Sequence, residues 1–216
     1  MQGKQHHFIA TEGWSILLVL ALLAVASNVY LGLFASLLVV ILLLVACVIF
    51  RNPRRVIPAA PLAVVSPASG NIQIIDNVDD PWLSRPALRF RLHMSLWDVH
   101  NLRCPVEGKV MNQWSSENSE PGFNKRYTYW IRTDEGDDVI FSLLMGRWSP
   151  FVRLGLQTGE RIGQGQPCGF LYFTGAIEVL MPADSRVEKQ AGDIVDAGTS
   201  ILGQFVHESG ATMMGK

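Results

Sequence analysis

The chain has few cysteines and almost no excess charge, and both shortages exclude classes of protein. Its 216 residues include three cysteines and no Cys-x-x-Cys pair, which excludes a disulfide-built scaffold and the common zinc sites. The 18 Lys and Arg residues nearly balance the 19 Asp and Glu residues, so the basic surface of a nucleic-acid-binding protein is missing. We therefore expect no nucleic-acid partner and no metal site.

One long segment has no charged residue at all. From Trp14 to Phe50 the sequence contains no Asp, Glu, Lys or Arg, and its polar residues gather around Asn28. A membrane span needs about 20 apolar residues, so one helix is too short to account for this segment. Ser27, Asn28 and Gly32 form its one weak point, so the segment predicts two short helices, at about 14–27 and 31–50, that meet in a tight turn there. We expect a transmembrane or re-entrant hairpin.

Basic residues follow this segment at once. Arg51, Arg54 and Arg55 lie in the string FRNPRR at residues 50–55. Basic residues at the end of a span stay on the cytoplasmic side and attract anionic lipids, so we expect both ends of the hairpin to be cytoplasmic. The arginines then either fix the topology or contact lipid head groups. The predicted organisation is an N-terminal cytoplasmic segment at 1–13, the hairpin at 14–50, a basic linker at 51–60 and a globular domain at 61–216.

The globular domain has the pattern of a mainly β fold. Short stretches rich in β-branched and aromatic residues, such as 88–92, 127–132 and 176–180, alternate with glycine-containing turns. No window predicts a long amphipathic helix. Two stretches, 67–72 and 105–110, share the pattern Pro-x-x-Gly-x-β-branched, which turns the chain and begins a strand. With the related stretch 192–203, they resemble the hairpins of lipoyl-type barrel-sandwich domains.

Five strings in order carry a resemblance to a known family. FRNPRR at 50–55 follows the apolar hairpin, VSPASG at 65–70 is similar to Ser-Pro-Ala-Asp-Gly, and MSLWDVHNLRCPVEG at 94–108 is similar to Met-Ser-Pro-x-Asp-Val-His-x-x-Arg-x-Pro-x-x-Gly. NKR at 124–126 stands where the family has Asn-Glu-Arg, and FTGAIEVLMP at 173–182 is similar to Phe-Gly-Ser-x-Val-Asp-Val-x-x-Pro. The chain thus resembles the short, membrane-anchored prokaryotic phosphatidylserine decarboxylases over nearly its whole length.

The resemblance implies a cofactor that the chain makes from its own backbone. In this family a serine hydroxyl attacks the preceding glycine carbonyl, the ester eliminates, and the new chain begins with a pyruvoyl group. The pyruvoyl ketone forms a Schiff base with phosphatidylserine and accepts the electrons left when carbon dioxide departs. An arrangement of Asp, His and Ser supports the self-cleavage.

Two of these three positions lack the functional group that the family's mechanism requires. The family's serine position is Gly175, which has no hydroxyl, and its aspartate position is Ser69, which has no charge. His100 remains. Thr174 carries a hydroxyl and is the alternative nucleophile, although a shift of one residue in a strand turns a side chain to the opposite face unless a bulge corrects it. We therefore expect that the pyruvoyl group is absent.

The sequence leaves open whether the chain is an enzyme. Our first hypothesis is a non-cleaving membrane protein of phospholipid metabolism that binds phospholipid or a partner enzyme in a bacterial or archaeal cell membrane, with Arg103 as a further lipid-binding candidate. The first alternative is an active decarboxylase that produces phosphatidylethanolamine. The second alternative is a structural membrane scaffold.

Overall fold

The computed structural model describes residues 8–30, 32–60, 62–117, 120–146 and 152–207. Within these ranges a 3-10 turn at Thr11–Gly13 precedes two helices, and fourteen short strands follow. The helices are α1 (Trp14–Tyr30) and α2 (Leu33–Ile49). The strands are β1 (Ala63–Val65), β2 (Gly70–Asp80), β3 (Arg85–Met94), β4 (Asn101–Arg103), β5 (Gly108–Glu117), β6 (Phe123–Arg132), β7 (Asp138–Gly146), β8 (Val152–Leu154), β9 (Arg161–Ile162), β10 (Pro167–Leu171), β11 (Gly175–Pro182), β12 (Arg186–Val187), β13 (Ile194–Val195) and β14 (Ile201–Gln204).

The two helices form a hairpin, and its turn lies at the end of the predicted region. Asn28 is inside α1, and the break falls at Gly32, which has a φ of 85°. Glycine adopts this backbone conformation without the steric cost that other residues meet. Ser27 does not end the helix because its hydroxyl donates to the Ala24 carbonyl one turn earlier, at 3.0 Å. The break therefore falls at the last residue of the predicted turn region, 27–32, and Asn28 itself is helical.

The hairpin presents its apolar side chains outward. The segment Thr11–Tyr30 is 20 residues long and apolar enough to cross a membrane, and the apolar helix Leu33–Ile49 is shorter. Large side chains on both helices are mostly exposed, among them Leu22, Val29 and Phe34. Removing such side chains from water is favourable by about 1.5–3 kcal/mol each, so an apolar surrounding would stabilise this surface.

The prediction of a mainly β domain is confirmed. The largest sheet has eight antiparallel strands in the order β13-β2-β3-β11-β7-β6-β5-β9, and two three-stranded sheets, β4-β10-β8 and β1-β14-β12, accompany it. The two Pro-x-x-Gly strings begin β2 and β5, as their pattern predicted. A side chain at Gly70 would collide with the His93 carbonyl, and one at Gly108 with the Arg132 carbonyl, so both positions require glycine for close strand packing.

Strand β11 lies in the middle of the large sheet and contributes to both of its faces. Ile177 and Val179 point into the main core, where Phe90 and Phe141 are fully buried. Leu180 points the other way, into a smaller apolar cluster on the outer face. This alternation follows from the two-residue period of a strand and determines which way each residue at the start of β11 faces.

The base of the hairpin is attached to the β domain. The Ala10 amide donates to the Phe50 carbonyl at 2.8 Å, which joins the entry and exit of the hairpin. The Phe50 ring stacks on Phe170 of β10 with a centroid distance of 5.5 Å. Arg51 extends this contact by donating to the Trp97 carbonyl at 2.7 Å. The hairpin and the β domain therefore meet at β10, the strand that precedes β11 in the chain.

Candidate functional site

Gly175 is buried between two neighbouring strands, and a side chain there would require its neighbours to shift. It is the first residue of β11, paired with Met94 of β3 and Met145 of β7. A Cβ atom placed on Gly175 would lie 2.9 Å from Leu171 Cδ2 and 3.0 Å from the Leu144 carbonyl oxygen. Leu171 is fully buried, so its close methyl group would have to move within the core to admit a side chain at position 175. The residues present do not fit a pyruvoyl group derived from this position.

His100 is fully buried, and both of its ring nitrogens face backbone carbonyls. Nδ1 lies 2.8 Å from the Leu171 carbonyl oxygen and Nε2 lies 2.9 Å from that of Leu96. Carbonyl oxygens only accept hydrogen bonds, so a neutral ring donates to one of them and an imidazolium donates to both. The Leu171 amide donates back to the His100 carbonyl at 3.0 Å. Through these contacts His100 links the end of β10 to the loop between β3 and β4, where Leu96 lies. Neither of its ring nitrogens faces Gly175.

Ser69 lies on the far side of β3 from Gly175. Its neighbour Gly70 begins β2, and β3 separates β2 from β11, so two strand spacings of about 5 Å each lie between them. The Ser69 hydroxyl accepts from the Ala197 amide at 3.1 Å and from Arg55 at 3.3 Å. Among the residues that the structure describes, no side-chain hydrogen bond joins Ser69, His100 and position 175 into a catalytic unit.

Thr174 stands directly before β11 and is partly exposed. The pairing of β11 with β3 and β7 runs from Gly175 onward without a register shift. By strand alternation, Thr174 shares the outward side of Ala176, opposite to the core side of Gly175. The bulge that would turn Thr174 toward the Gly175 side does not occur in these pairs.

The basic residues after the hairpin have different positions. Arg51 is bound to the Trp97 carbonyl, and Arg54 is exposed. Arg55 points back to the domain, where it pairs with Asp196 at 2.6 Å as well as contacting Ser69. Of these three arginines, Arg55 is the one that the fold brings next to Arg103.

Arg103 is a buried cation. Only 7% of the residue is exposed, and Nη1 donates to the Gly165 carbonyl at 2.8 Å. A Cβ atom on Gly198 would lie 2.5 Å from Arg103 Cδ, so the missing side chain there makes room for the arginine. Burial, followed by the positive charge of Arg55, lowers the pKa of Arg103 from its ordinary value. Both causes show that the guanidinium lacks the negative charge that burial normally demands.

An apolar groove of about 730 Å³ opens where the hairpin meets the β domain. Its walls come from both helices and from the chain around Arg153 of β8 and the residues just before Gly175. A volume of this size is typical of sites that bind small apolar ligands. Its lining includes Ile16, Leu20, Val45, Ile49, Tyr172 and Phe173.

Arg153 and Leu171 take part in this site, but the sequence did not single them out. Arg153 lies in a three-residue strand, and its ion-pair partner, Glu12 at 3.6 Å, is at the other end of the chain. Leu171 looks like any other buried leucine of a strand. Both roles depend on contacts between distant segments, for which the local pattern contains no signal.

The fold and the site define a β-domain protein that carries an apolar helical hairpin, with Gly175 and an apolar groove near the junction of the two parts. The family model described as phosphatidylserine decarboxylase matches residues 42–203. Phosphatidylserine decarboxylase proenzymes of Nitrosomonas eutropha and Nitrosomonas europaea are each 33% identical over 208 residues, covering 93% of this chain and 96% of theirs. That of Aromatoleum aromaticum is 30% identical, with 93% and 97% covered. No solved structure matches the chain significantly.

The chain belongs to the phosphatidylserine decarboxylase family, which depends on a pyruvoyl group. The family resemblance seen in the five sequence strings is thereby confirmed.

Proposed function

We propose that this chain is a non-cleaving member of the family that binds phospholipid at a membrane and makes no pyruvoyl group. The observation that carries the proposal is Gly175: it has no hydroxyl, and the Cβ atom of a serine there would lie 2.9 Å from Cδ2 of the buried Leu171. His100 supports it, because both ring nitrogens face backbone carbonyls. Residues of a catalytic unit act together, so the loss of nucleophile and aspartate is not compensated by one remaining histidine.

The chemical class of the ligand is inferred from the side chains around the groove. The exposed apolar hairpin favours a bilayer, and side chains of both its helices line the groove. Trp97 is 60% exposed beside Arg51, the combination of aromatic and basic side chains that favours a membrane interface. We infer that an acyl chain enters the groove. The chain would then act in phospholipid metabolism by holding a lipid or by supporting a membrane-enzyme partner.

The basic residues after the hairpin support an orientation. Arg51, Arg54 and Arg55 follow α2 directly, and basic flanks are retained on the cytoplasmic side. We infer that both ends of the hairpin and the β domain lie on the cytoplasmic side of a bacterial or archaeal cell membrane.

Intact-mass spectrometry of the purified full chain tests the absence of cleavage. We expect one species near 23.9 kDa and no shorter chain. A C-terminal fragment that begins at residue 174 or 175 with a blocked, ketone-bearing N-terminus would restore the decarboxylase hypothesis. Lipid extraction from the same sample tests the binding: a bound phospholipid is expected, and its absence would favour a structural scaffold.

The converse experiment restores the family's residues. The triple variant Ser69→Asp, Thr174→Gly and Gly175→Ser places the family's residue types at the three altered positions. Because Leu171 fills the space beside Gly175, we expect this variant to remain uncleaved and a fourth change, Leu171→Ala, to be required before any cleavage occurs. Efficient cleavage of the triple variant alone would show that Leu171 moves aside easily.

A further inference from the structure

A second cavity, of about 530 Å³, lies beside the apolar groove and has a different chemical character. It is enclosed by the chain that enters α1, the linker after α2 and strands β4, β8 and β10. Three arginines line it: Arg55, Arg103 and Arg153. Asn52 and Asn101 also line the cavity and are joined by a 3.0 Å hydrogen bond between their side chains.

The charges around this cavity do not cancel. Arg55 pairs with Asp196 at 2.6 Å, and Arg153 pairs with Glu12 at 3.6 Å. Arg103 is the most buried of the three; its Nη1 donates to the Gly165 carbonyl, and no carboxylate among the described residues forms an ion pair with it. Three guanidinium groups thus face two carboxylates, and one buried positive charge remains.

A hydrogen-bond donor of the same cluster is also unused. The side chain of Arg55 is 14% exposed, and its Nε atom is buried without an acceptor. A buried donor without an acceptor costs about 1–3 kcal/mol. One anionic group with several oxygen acceptors would satisfy this donor and the surplus charge together.

Arg153 connects the cavity to the apolar groove, because it lines both. A ligand that uses both spaces must be apolar at one end and carry about one negative charge near the other. A glycerophospholipid meets this description, since its acyl chains are apolar and its phosphodiester carries a single negative charge.

We propose that the cavity of Arg55, Arg103 and Arg153 binds the phosphodiester of a glycerophospholipid whose acyl chain lies in the groove. The lipid origin of the phosphate rests on the proposed function, whereas the affinity for phosphate rests on the arginines alone. In this arrangement Arg103 supplies the buried charge, and Arg153 is placed where head group and acyl chain join.

Native mass spectrometry of the full chain in detergent micelles tests the site. The probes are phosphatidylglycerol and a diacylglycerol with the same acyl chains, which differ in the phosphate-bearing head group. Charge-assisted hydrogen bonds to the phosphate should strengthen binding, so we expect phosphatidylglycerol to bind at least about tenfold more tightly than diacylglycerol. Inorganic phosphate, as a separate probe, should compete with phosphatidylglycerol and leave diacylglycerol binding unchanged.

Variants assign the effect to residues. The side chain of Arg153 is 69% exposed, so a substitution there should not disturb the fold. Arg153→Gln should remove most of the preference for phosphatidylglycerol over diacylglycerol. Arg103→Gln should do the same if it folds. Arg161→Gln is the matched control, because Arg161 is similarly exposed and pairs with Asp134 outside the cavity. Val45→Trp fills the groove and should weaken both lipids equally.

Two results separate the failure of this site from the failure of the proposed function. Equal binding of both lipids, unchanged in Arg153→Gln, would overturn the phosphate site while leaving phospholipid binding intact. Binding of inorganic phosphate without retention of either lipid would overturn the lipid origin of the phosphate and the proposed function together.

Discussion

The packing at Gly175 predicts a measurable cost for the smallest side chain. In Gly175→Ala the new methyl group would lie 2.9 Å from Leu171 Cδ2 and 3.0 Å from the Leu144 carbonyl oxygen. Both distances are shorter than an ordinary van der Waals contact. Leu171 is fully buried, so its side chain cannot turn toward solvent, and the Leu144 carbonyl belongs to the central sheet. We expect both neighbours to be displaced.

Two opposing effects determine how much Gly175→Ala changes the free energy of unfolding. Overpacking a core costs about 1–3 kcal/mol, whereas replacing glycine by alanine restricts the unfolded chain and returns about 0.4–1 kcal/mol. The free energy of unfolding should therefore fall by about 0.5–2 kcal/mol. For a chain of this size, 1 kcal/mol corresponds to about 2–4 °C in Tm.

A double-mutant cycle with Leu171→Ala identifies the neighbour responsible. Leu171→Ala alone leaves a cavity and should cost about 2–5 kcal/mol. In the double variant the methyl group at 175 occupies part of that cavity, so the combined loss should be smaller than the sum by about 1 kcal/mol. The contact with the Leu144 carbonyl is not relieved, which limits the compensation.

Thermal unfolding of the full chain in detergent, followed by circular dichroism, measures these differences. Gly146→Ala is the control, because its Cβ would lie 3.5 Å from the nearest atom, an ordinary contact at the end of β7. The control should change Tm little or raise it slightly. If Gly175→Ala behaves like the control, or if the two costs simply add, Leu171 does not fill the space of the serine.

Three groups in the β domain yield further predictions, and the hairpin yields a fourth. His100→Phe removes both ring nitrogens and leaves at least one of the two buried carbonyls without its donor, so it should lower the free energy of unfolding by about 1–3 kcal/mol, and an unchanged free energy of unfolding would contradict the structural role. The hydrogen bond with Cys104 and burial raise the pKa of Cys168 well above that of a free thiol, so iodoacetamide at pH 8 should modify neither residue until the chain is denatured; mass spectrometry detects any earlier reaction. Burial raises the pKa of Tyr129 to about 12, so its contribution to stability is complete below pH 10 and is lost as the pH rises toward 12. Tyr129→Phe should remove that part of the pH dependence of Tm, and an unchanged profile would show that another group is responsible. Single cysteines placed near Asn28 in a cysteine-free chain should react with a membrane-impermeant reagent from outside the cell; labelling of the β domain instead would reverse the orientation.

Local patterns were sufficient for the fold class and for the hairpin. A segment without charges predicts membrane helices because an unpaired charge is costly in hydrocarbon, and alternating apolar residues predict strands because side chains alternate across a sheet. The position of the turn was less certain from sequence, because Asn28 and Gly32 both interrupt the apolar segment. In the structure the helix breaks at Gly32, because the backbone there has a conformation that favours glycine. Ser27 stays helical, because its hydroxyl donates to a carbonyl of the same helix.

The candidate site divides in the same way. From sequence alone, position 175 has no hydroxyl and position 69 has no carboxylate, because a residue's functional groups are a property of its type. Tertiary structure alone decided that Leu171 fills the space beside Gly175, that both nitrogens of His100 face carbonyls, and that Arg103 lies next to Arg55 and shares a cavity with Arg153. These contacts join segments that are distant in the chain, and their energies depend on distances and burial that only the folded molecule defines.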